Sequence, residues 1–335
     1  MTGRMKILIT GAAGFLGTRL IRAILSKRSD LANVSSILAA DVVPCSVEDP
    51  RVRIQTGSIT DTAFLSSIAE RDVNVVFHLA AVLSGQSEAE FDVGMRVNLD
   101  ATRGLLEAFR QLNTGPRFVF ASSVAVFGGA LPDPVPDDMA LWPQSSYGTE
   151  KAIAELLVSD YSRRGYVDGI SCRLPTVAIR PGKPNSALSS FVSGIIREPL
   201  AGLESVCPVP LDTRLWITSP AVVTENLRHA ARIDTSQLEA RRAVNLPGIS
   251  VTPAEMLASL ERLAGATVRK RVRCELDHQM MRVVLTWPGN FDVTRSLNLG
   301  FTVDGTVDQI VQQFMDEQGL SAASYRQDSA RDPLR

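Results

Sequence analysis

Short apolar runs alternate with segments of helical spacing throughout the first half of the chain. The runs that predict strands lie at 6–10, 36–41, 52–56, 73–78 and 117–122. The segments that predict helices lie between them, at 15–27, 61–70 and 98–112. Repeated strand–helix units with short connections predict an α/β fold, in which helices cover both faces of a Rossmann-like, doubly wound parallel sheet.

The pattern changes after Arg173. Residues 174–220 are rich in proline and glycine and contain only short periodic stretches, whereas 253–265 and 304–319 have the spacing of helices. We therefore expect a Rossmann domain over 1–175, to which 213–247 returns. A smaller C-terminal lobe is expected to comprise 176–212 and 248–320, followed by a flexible polar tail over 321–335.

Composition narrows the class of protein. The 335 residues include 35 Lys+Arg and 36 Asp+Glu, a net charge of −1, so there is no basic excess to bind nucleic acid or an anionic membrane. No apolar run is long enough to span a bilayer, and the first run lacks the features of a signal peptide. Only four cysteines, far apart, and three histidines are present, which argues against disulfides and a metal site and favours the cytoplasm.

A glycine-rich loop separates the first predicted strand from the first predicted helix, in Gly11-Ala-Ala-Gly14-Phe-Leu-Gly17. Glycines in this place permit a tight turn and let a pyrophosphate approach the backbone at the amino end of a helix. Asp41 ends the second predicted strand, where a carboxylate accepts both hydroxyls of an adenosine ribose and repels a 2′-phosphate. Because no arginine follows at 42–44, the sequence predicts NAD rather than NADP as cofactor.

Residues after the next two strands are expected at the same edge of the sheet. Ser58 and Ile59 follow the third predicted strand and are candidate adenine contacts. Ala80 and Ala81 follow the fourth, where small side chains allow the backbone to lie against the cofactor. We interpret His78, which ends that strand, as a structural histidine rather than a catalytic base.

A serine, a tyrosine and a lysine are placed for chemistry on an alcohol. Tyr147 and Lys151 share one face of a helical segment, and Ser123 follows the fifth predicted strand. A tyrosine with a reference pKa near 10 is a poor base at neutral pH, and lowering that pKa by about 3 units corresponds to roughly 4 kcal/mol. We predict Tyr147 as the base, Ser123 as the group that holds the substrate oxygen, and Lys151 as the ammonium that, with a cationic nicotinamide, favours the phenolate.

The TGxxGxxG loop, the segment 78–81, Asn98, the Ser123 segment and the Tyr147/Lys151 pair resemble the extended short-chain dehydrogenase/reductase superfamily over about residues 5–320. The resemblance implies a seven-stranded sheet, a substrate-binding C-terminal lobe and contact of Lys151 with the nicotinamide ribose. With the residues named above, it completes the expected cofactor-binding set: Gly11, Gly14, Phe15, Leu16, Gly17, Asp41, Ser58, Ile59, Ala80, Ala81, Asn98, Tyr147, Lys151 and Pro175.

That superfamily contains NDP-sugar epimerases, dehydratases and simple dehydrogenases. Dehydratases carry an Asp-Glu pair after the serine position, where this chain has Val124 and Ala125, so the sequence argues against dehydration. Segments at 173–185, 190–200 and 287–292 resemble the subgroup that acts on D-erythronate. This resemblance implies NAD-dependent oxidation of the C2 hydroxyl of a four-carbon sugar acid to 2-oxo-erythronate. An NDP-sugar 4-epimerase, a dehydrogenase of another small molecule and a non-enzymatic NAD-binding regulator remain alternatives.

A sugar acid requires a site for its carboxylate. Arg214 is the first candidate to bind that carboxylate, and Arg173 and Lys183 are the alternatives. Ser84 and Asn185 are candidates to hydrogen-bond the substrate hydroxyls. The expected substrate residues are Ser84, Ser123, Tyr147, Arg173, Asn185 and Arg214. The superfamily also implies a homodimer formed by the helix that carries Tyr147 and the helix before it.

Overall fold

A computed structural model of the protein describes residues 4–27, 29, 31, 33–183 and 187–320. The strands are β1 (Met5–Thr10), β2 (Val34–Asp41), β3 (Val52–Thr56), β4 (Val75–His78), β5 (Arg117–Ser123), β6 (Asp168–Leu174), β7 (Thr176–Val177), β8 (Ser205–Cys207), β9 (Leu215–Thr218), β10 (Ala243–Asn245), β11 (Ile249–Val251) and β12 (Val272–Cys274). In this part of the chain, seven strands pair in parallel in the order β10-β6-β5-β4-β1-β2-β3. The predicted fold class is therefore confirmed.

Helices cover both faces of this sheet and form much of the lobe. They are α1 (Phe15–Leu25), α2 (Thr62–Ile68), α3 (Ser84–Ala89), α4 (Phe91–Gly94), α5 (Ala101–Leu112), α6 (Ser146–Arg163), α7 (Ser190–Leu200), α8 (Pro220–Ala230), α9 (Pro253–Ala264), α10 (Ala266–Arg269), α11 (His278–Val284), α12 (Thr294–Asn298) and α13 (Val307–Glu317). None of the described helices is long and apolar enough to cross a membrane.

Burial on both faces explains why the central strands have no alternation of polar residues. In β1, Ile7 and Ile9 belong to the core on one side of the sheet, whereas Leu8 belongs to the core on the other side. All three are fully buried. A strand with two apolar faces reads as a continuous apolar run, as expected for a parallel sheet between helices.

The lobe contains more strands than the sequence pattern predicts. Residues 174–220 show only short periodic stretches in the sequence, but they include β7, β8 and β9 as well as α7. Each of these strands spans only two to four residues, which is too short for periodicity to detect. Strand β10 pairs with β6, so the segment expected to return to the Rossmann sheet reaches its edge. Residues 321–335, the expected tail, lie outside the described residues.

One predicted helix differs at its start. The sequence predicts a single helix over 98–112, but Met95–Asp100 forms a π-helical turn that leads into α5. Within this turn the side chain of Asn98 is buried and bonds to both backbone groups of Val82. Turns of this kind are rare and recur at functional sites.

Candidate active site

The glycine loop forms a cradle at the carboxyl edge of the sheet. Gly11 has φ +70°, and a Cβ there would lie 2.7 Å from the backbone nitrogen of Ala80. A Cβ at Gly17 would overlap the backbone of Gly11 and Ala12, so this helix–loop contact requires glycine. No side chain caps the amino end of α1, which leaves its backbone N–H groups for an anion. These features fit the pyrophosphate of a dinucleotide.

The other predicted cofactor residues border this cradle or the strands beside it. The carboxylate of Asp41, at the end of β2, accepts hydrogen bonds from the backbone of Ala13 in the glycine loop and of Val42, at 2.9 and 2.7 Å. Ser58 and Ile59 follow Gly57, the residue after β3, whose N–H donates to the carbonyl oxygen of Asp41 at 2.9 Å. Ala80 and Ala81 follow β4, and Leu16 and Pro175 line the adjoining cavity.

The structure brings Ser123, Tyr147 and Lys151 together at the end of β5 and the start of α6. Ser123 and Tyr147 line the same cavity, and the hydroxyl of Ser123 is close enough to lower the pKa of Tyr147. Lys151 is 2% exposed behind them, and its Nζ donates to the carbonyl oxygen of Ala121 at 2.9 Å. This Nζ lies 5.7 Å from the ring centroid of Tyr147. The three side chains therefore form one cluster.

Burial controls the charges in this cluster. It raises the pKa of Tyr147 to about 12, although the hydroxyl of Ser123 and the positive charge of Arg180 lower it. It also lowers the pKa of Lys151 to about 8, against the negative charges of Glu150 and Glu155. Tyr147 alone is therefore a phenol at neutral pH, and it needs added positive charge nearby to become a base.

Arg180, which the sequence analysis did not select, also lines the cavity. Burial lowers the pKa of its guanidinium, Arg197 lowers it further, and Tyr147 raises it. Among the described residues, only the backbone of Arg180 has hydrogen-bond partners, so its side chain has no ion pair there. No signal in the sequence points to Arg180, because it follows β7, a strand of two residues that periodicity does not detect. Glu88 of α3 is a second lining residue that was missed.

The predicted substrate residues differ in where they lie. Ser84 lines the cavity, and its Oγ accepts from the backbone of Leu188 at 3.4 Å. Arg214 lines it as well, but its guanidinium is ion-paired with Asp133 and bonds to Ser250. Asn185 lies outside the described residues, and the alternative cation Lys183 is exposed.

The structure does not bring Arg173, an expected substrate residue, into the cavity. Its side chain lies in β6, away from the cavity, in a buried two-pronged ion pair with Glu155 at 2.8–3.1 Å. The guanidinium also lies over the ring of Phe127, at 4.8 Å from its centroid. A cation with these partners joins α6 to β6 and is not free to bind an anion. Asn98 is likewise fully bonded to protein partners rather than free for NAD.

His78 has the structural role that its sequence context indicates. Its ring is buried and bonds to Thr10 at 2.7 Å and to Thr102 at 2.9 Å. Burial, with a smaller effect of Lys151, lowers its pKa to about 3, so the ring is neutral at physiological pH.

The dinucleotide cradle lies at the same edge of the sheet as a cavity lined by Ser123, Tyr147 and the cation Arg180, and this arrangement is typical of a nicotinamide-dependent α/β oxidoreductase. Its relatives are consistent with this class. A model of the NAD dependent epimerase/dehydratase family matches residues 7–216. A D-erythronate dehydrogenase of Cupriavidus necator is 50% identical over 323 residues, which cover 95% of this chain and 100% of that protein.

Two further relatives extend over most of the chain. A D-erythronate dehydrogenase of Haemophilus influenzae is 43% identical over 93% of this chain and 99% of its own length. A crystal structure described as the nucleoside-diphosphate-sugar epimerase from Agrobacterium tumefaciens has a TM-score of 0.90 and 41% identity, over 95% of this chain and 96% of that one. The chain belongs to the NAD dependent epimerase/dehydratase family, and it is an NAD-dependent dehydrogenase.

Proposed function

We propose that the protein oxidises the C2 hydroxyl of D-erythronate to give 2-oxo-erythronate. The observation that carries the proposal is the placement of Ser123, Tyr147 and the unpaired Arg180 around one cavity, with Lys151 buried behind them. Similarity to two D-erythronate dehydrogenases supports the same substrate. The cavity therefore has side chains that can bind the reacting alcohol and a side chain that can bind the carboxylate of a sugar acid.

Arg180 is the group best suited to hold the carboxylate. A guanidinium binds a carboxylate through two parallel hydrogen bonds, and such bonds are stronger where water is excluded. The charge of Arg214 is already balanced by Asp133, whereas Arg180 has no ion-pair partner among the described residues. The anion site is therefore assigned to Arg180, and Arg214 is left as a second, weaker donor.

The side chains divide the proton chemistry between them. The phenolate of Tyr147 accepts the proton of the C2 hydroxyl. NAD, when bound, would supply the hydride acceptor for C2. Ser123 holds the substrate oxygen next to Tyr147, and the Lys151 ammonium favours the ionised phenolate. Gly11, Gly14, Gly17 and the amino end of α1 would hold the pyrophosphate, and Asp41 the adenosine ribose.

An NADH-formation screen tests the function directly. Purified protein with NAD is given D-erythronate, its stereoisomers, six-carbon sugar acids, L-threonine and UDP-sugars, and absorbance at 340 nm is followed. We expect net NADH formation with D-erythronate at a higher kcat/KM than with any other compound. Interconversion of a UDP-sugar without net NADH would instead establish an NDP-sugar epimerase, and no conversion of any compound would favour a binding protein.

We also propose that the protein is a homodimer assembled through α5 and α6. The support is the outer face of α6, where Leu156 is 65% exposed and Ile153 is 37% exposed. Apolar side chains in that position are typical of an interface between copies of a chain.

A further inference from the structure

A buried carboxylate lies directly behind the candidate catalytic cluster, on the residue before Lys151. Glu150 is 0% exposed. Its Oε2 accepts hydrogen bonds from Asn98 at 2.6 Å and from Ser87 at 3.1 Å. Its Oε1 is buried and has no hydrogen-bond partner within the described residues. One carboxylate oxygen is thus bonded to residues of the π-helical turn and α3, and the other has no hydrogen-bond partner among the described residues.

The fold makes room for this group. A Cβ at Gly94 would overlap the Oε1 atom of Glu150, so the glycine allows the carboxylate to lie against the backbone. A buried, partly unsatisfied charge destabilises a protein unless something compensates for it. A glutamine would fit the same space, because its amide oxygen could take the Oε2 position and keep both hydrogen bonds. The difference between the two residues is therefore the charge.

The residue that follows Glu150 in α6 carries a buried positive charge. Lys151 is also buried, and its Nζ bonds to the neutral carbonyl of Ala121 rather than to an acid. We propose that Glu150 is a positioning residue that serves as the counter-charge of the Lys151 ammonium and so sets the pH range over which the enzyme works. This inference concerns the reaction proposed above and deepens it.

Other charged groups around Lys151 do not take this role. Glu155 makes a two-pronged ion pair with Arg173 of β6, and its effect on the Lys151 pKa is smaller than that of Glu150. His78 of β4 is neutral, and Arg180 on the cavity side is positive. The remaining charges lie on surfaces: Glu88 of α3, which binds the backbone of Ser146, and Arg96, Asp100, Arg103 and Glu107 along an outer groove of the π-helical turn and α5.

The sign of the effect follows from the charge. A negative group favours the protonated form of every titratable neighbour, so removing it lowers the pKa of each. Glu150 is the largest influence that opposes the loss of the Lys151 proton, and it also raises the pKa of Tyr147. Glu150→Gln should therefore lower the pKa of both groups. A purely structural role for Glu150 would change the amount of active enzyme without moving either pKa.

The deciding measurement is the pKa of Lys151 itself, which needs no substrate. Lysine labelled with 13C at the ε carbon is followed by NMR against pH in the full-length protein, and Lys151→Met identifies the resonance among those of Lys6, Lys27, Lys183 and Lys270. Glu150→Gln should lower the Lys151 pKa by at least about half a pH unit. Ser87→Ala, which removes a hydrogen bond to Glu150 but not its charge, should leave it unchanged.

Either of two NMR results would overturn the inference: an unchanged Lys151 pKa in Glu150→Gln, or an equal decrease in Ser87→Ala. Kinetics supply the second readout. With D-erythronate, both limbs of the pH profile of kcat/KM should move to lower pH in Glu150→Gln, with only a small change in the maximum. If wild-type protein does not oxidise D-erythronate, the proposed function fails, and the NMR titration still decides the role of Glu150.

Discussion

Burial and the proposed chemistry make opposite demands on Tyr147. Burial raises its pKa to about 12, yet a base must lose its proton near neutral pH. Arg180 reduces this conflict, because its positive charge lowers the pKa of Tyr147 from across the cavity. The same charge is suited to a substrate carboxylate. Arg180 therefore has two measurable effects, one on substrate binding and one on proton transfer.

Replacing Arg180 with glutamine should raise the KM for D-erythronate at least tenfold. Hydrogen bonds to a charged group contribute about 1.5–3 kcal/mol, and 1.4 kcal/mol is tenfold in affinity. The acidic limb of the kcat/KM profile should also move to higher pH, because loss of the cation raises the pKa of Tyr147. Steady-state kinetics between pH 6 and pH 10 measure both effects.

Arg214→Ala is the matched control for the anion site. Because Arg214 is paired with Asp133, its removal should change KM less than the removal of Arg180 does. A tenfold rise in KM for Arg214→Ala, together with an unchanged KM for Arg180→Gln, would assign the carboxylate to Arg214 instead.

Tyr147→Phe tests the proposed base. The variant keeps the ring but lacks the oxygen that accepts the proton, so kcat should fall by about a hundredfold or more. NAD affinity, measured by calorimetry, should remain close to that of the wild type, because the glycine cradle and Asp41 are untouched. Wild-type turnover in this variant would rule out Tyr147 as the base.

At the scale of elements, the Arg173–Glu155 ion pair connects β6 to α6. Both side chains are almost fully buried, so removing one leaves an uncompensated charge. Arg173→Met should lower the free energy of unfolding by about 3–5 kcal/mol, measured by urea denaturation. The KM of the folded fraction should be unchanged. A higher KM without loss of stability would restore Arg173 as a substrate residue.

The sequence predicts those elements whose signal is local. Continuous apolar runs identify β1 and β4, because burial on both faces removes polar positions. The π-helical turn is invisible to a 3.6-residue period, since it differs from α-helix by one residue over a single turn. The strands of the lobe are too short to show any period.

The same distinction applies to the candidate site. Tyr147 and Lys151 can be paired from the sequence because one helix carries both. Arg173 could not be excluded from the sequence, since its partner Glu155 lies on another element, and only the fold brings the two together. Arg214 is a weaker candidate than Arg180 because Asp133 balances its charge. That ion pair joins distant segments of the chain, so the sequence does not reveal it.

At the scale of the whole molecule, the cavity is built from both parts of the chain. Ser123 and Tyr147 come from the Rossmann sheet and the helix beside it, whereas Trp287 comes from the lobe. The two parts are also joined at the surface, where Arg19 of α1 makes a two-pronged ion pair with Glu317 of α13 at 2.8 Å. Changes in the lobe can therefore alter substrate choice while the cofactor cradle stays the same.

Two charged residues on the outer surface offer a test of the proposed dimer. Asp100 and Arg103 line one outer groove, and within the described residues neither makes an ion pair. A two-fold axis midway between them would place Asp100 of one copy opposite Arg103 of the partner subunit, and the reverse. Arg103→Glu should then dissociate the dimer by placing like charges together. The double variant Asp100→Arg/Arg103→Glu should restore it, because the pair is reversed in both copies.

Analytical ultracentrifugation at low and high salt measures this prediction. Leu156→Asp should also yield monomers, whereas Leu203→Asp, at an exposed leucine on a different element, should remain dimeric. Recovery of the dimer in the charge-reversed double variant is the decisive result, since loss of association in a single variant alone could reflect local damage to α5. A double variant that remains as dissociated as Arg103→Glu would exclude this register, and an undisturbed dimer in Leu156→Asp would exclude α6 from the interface.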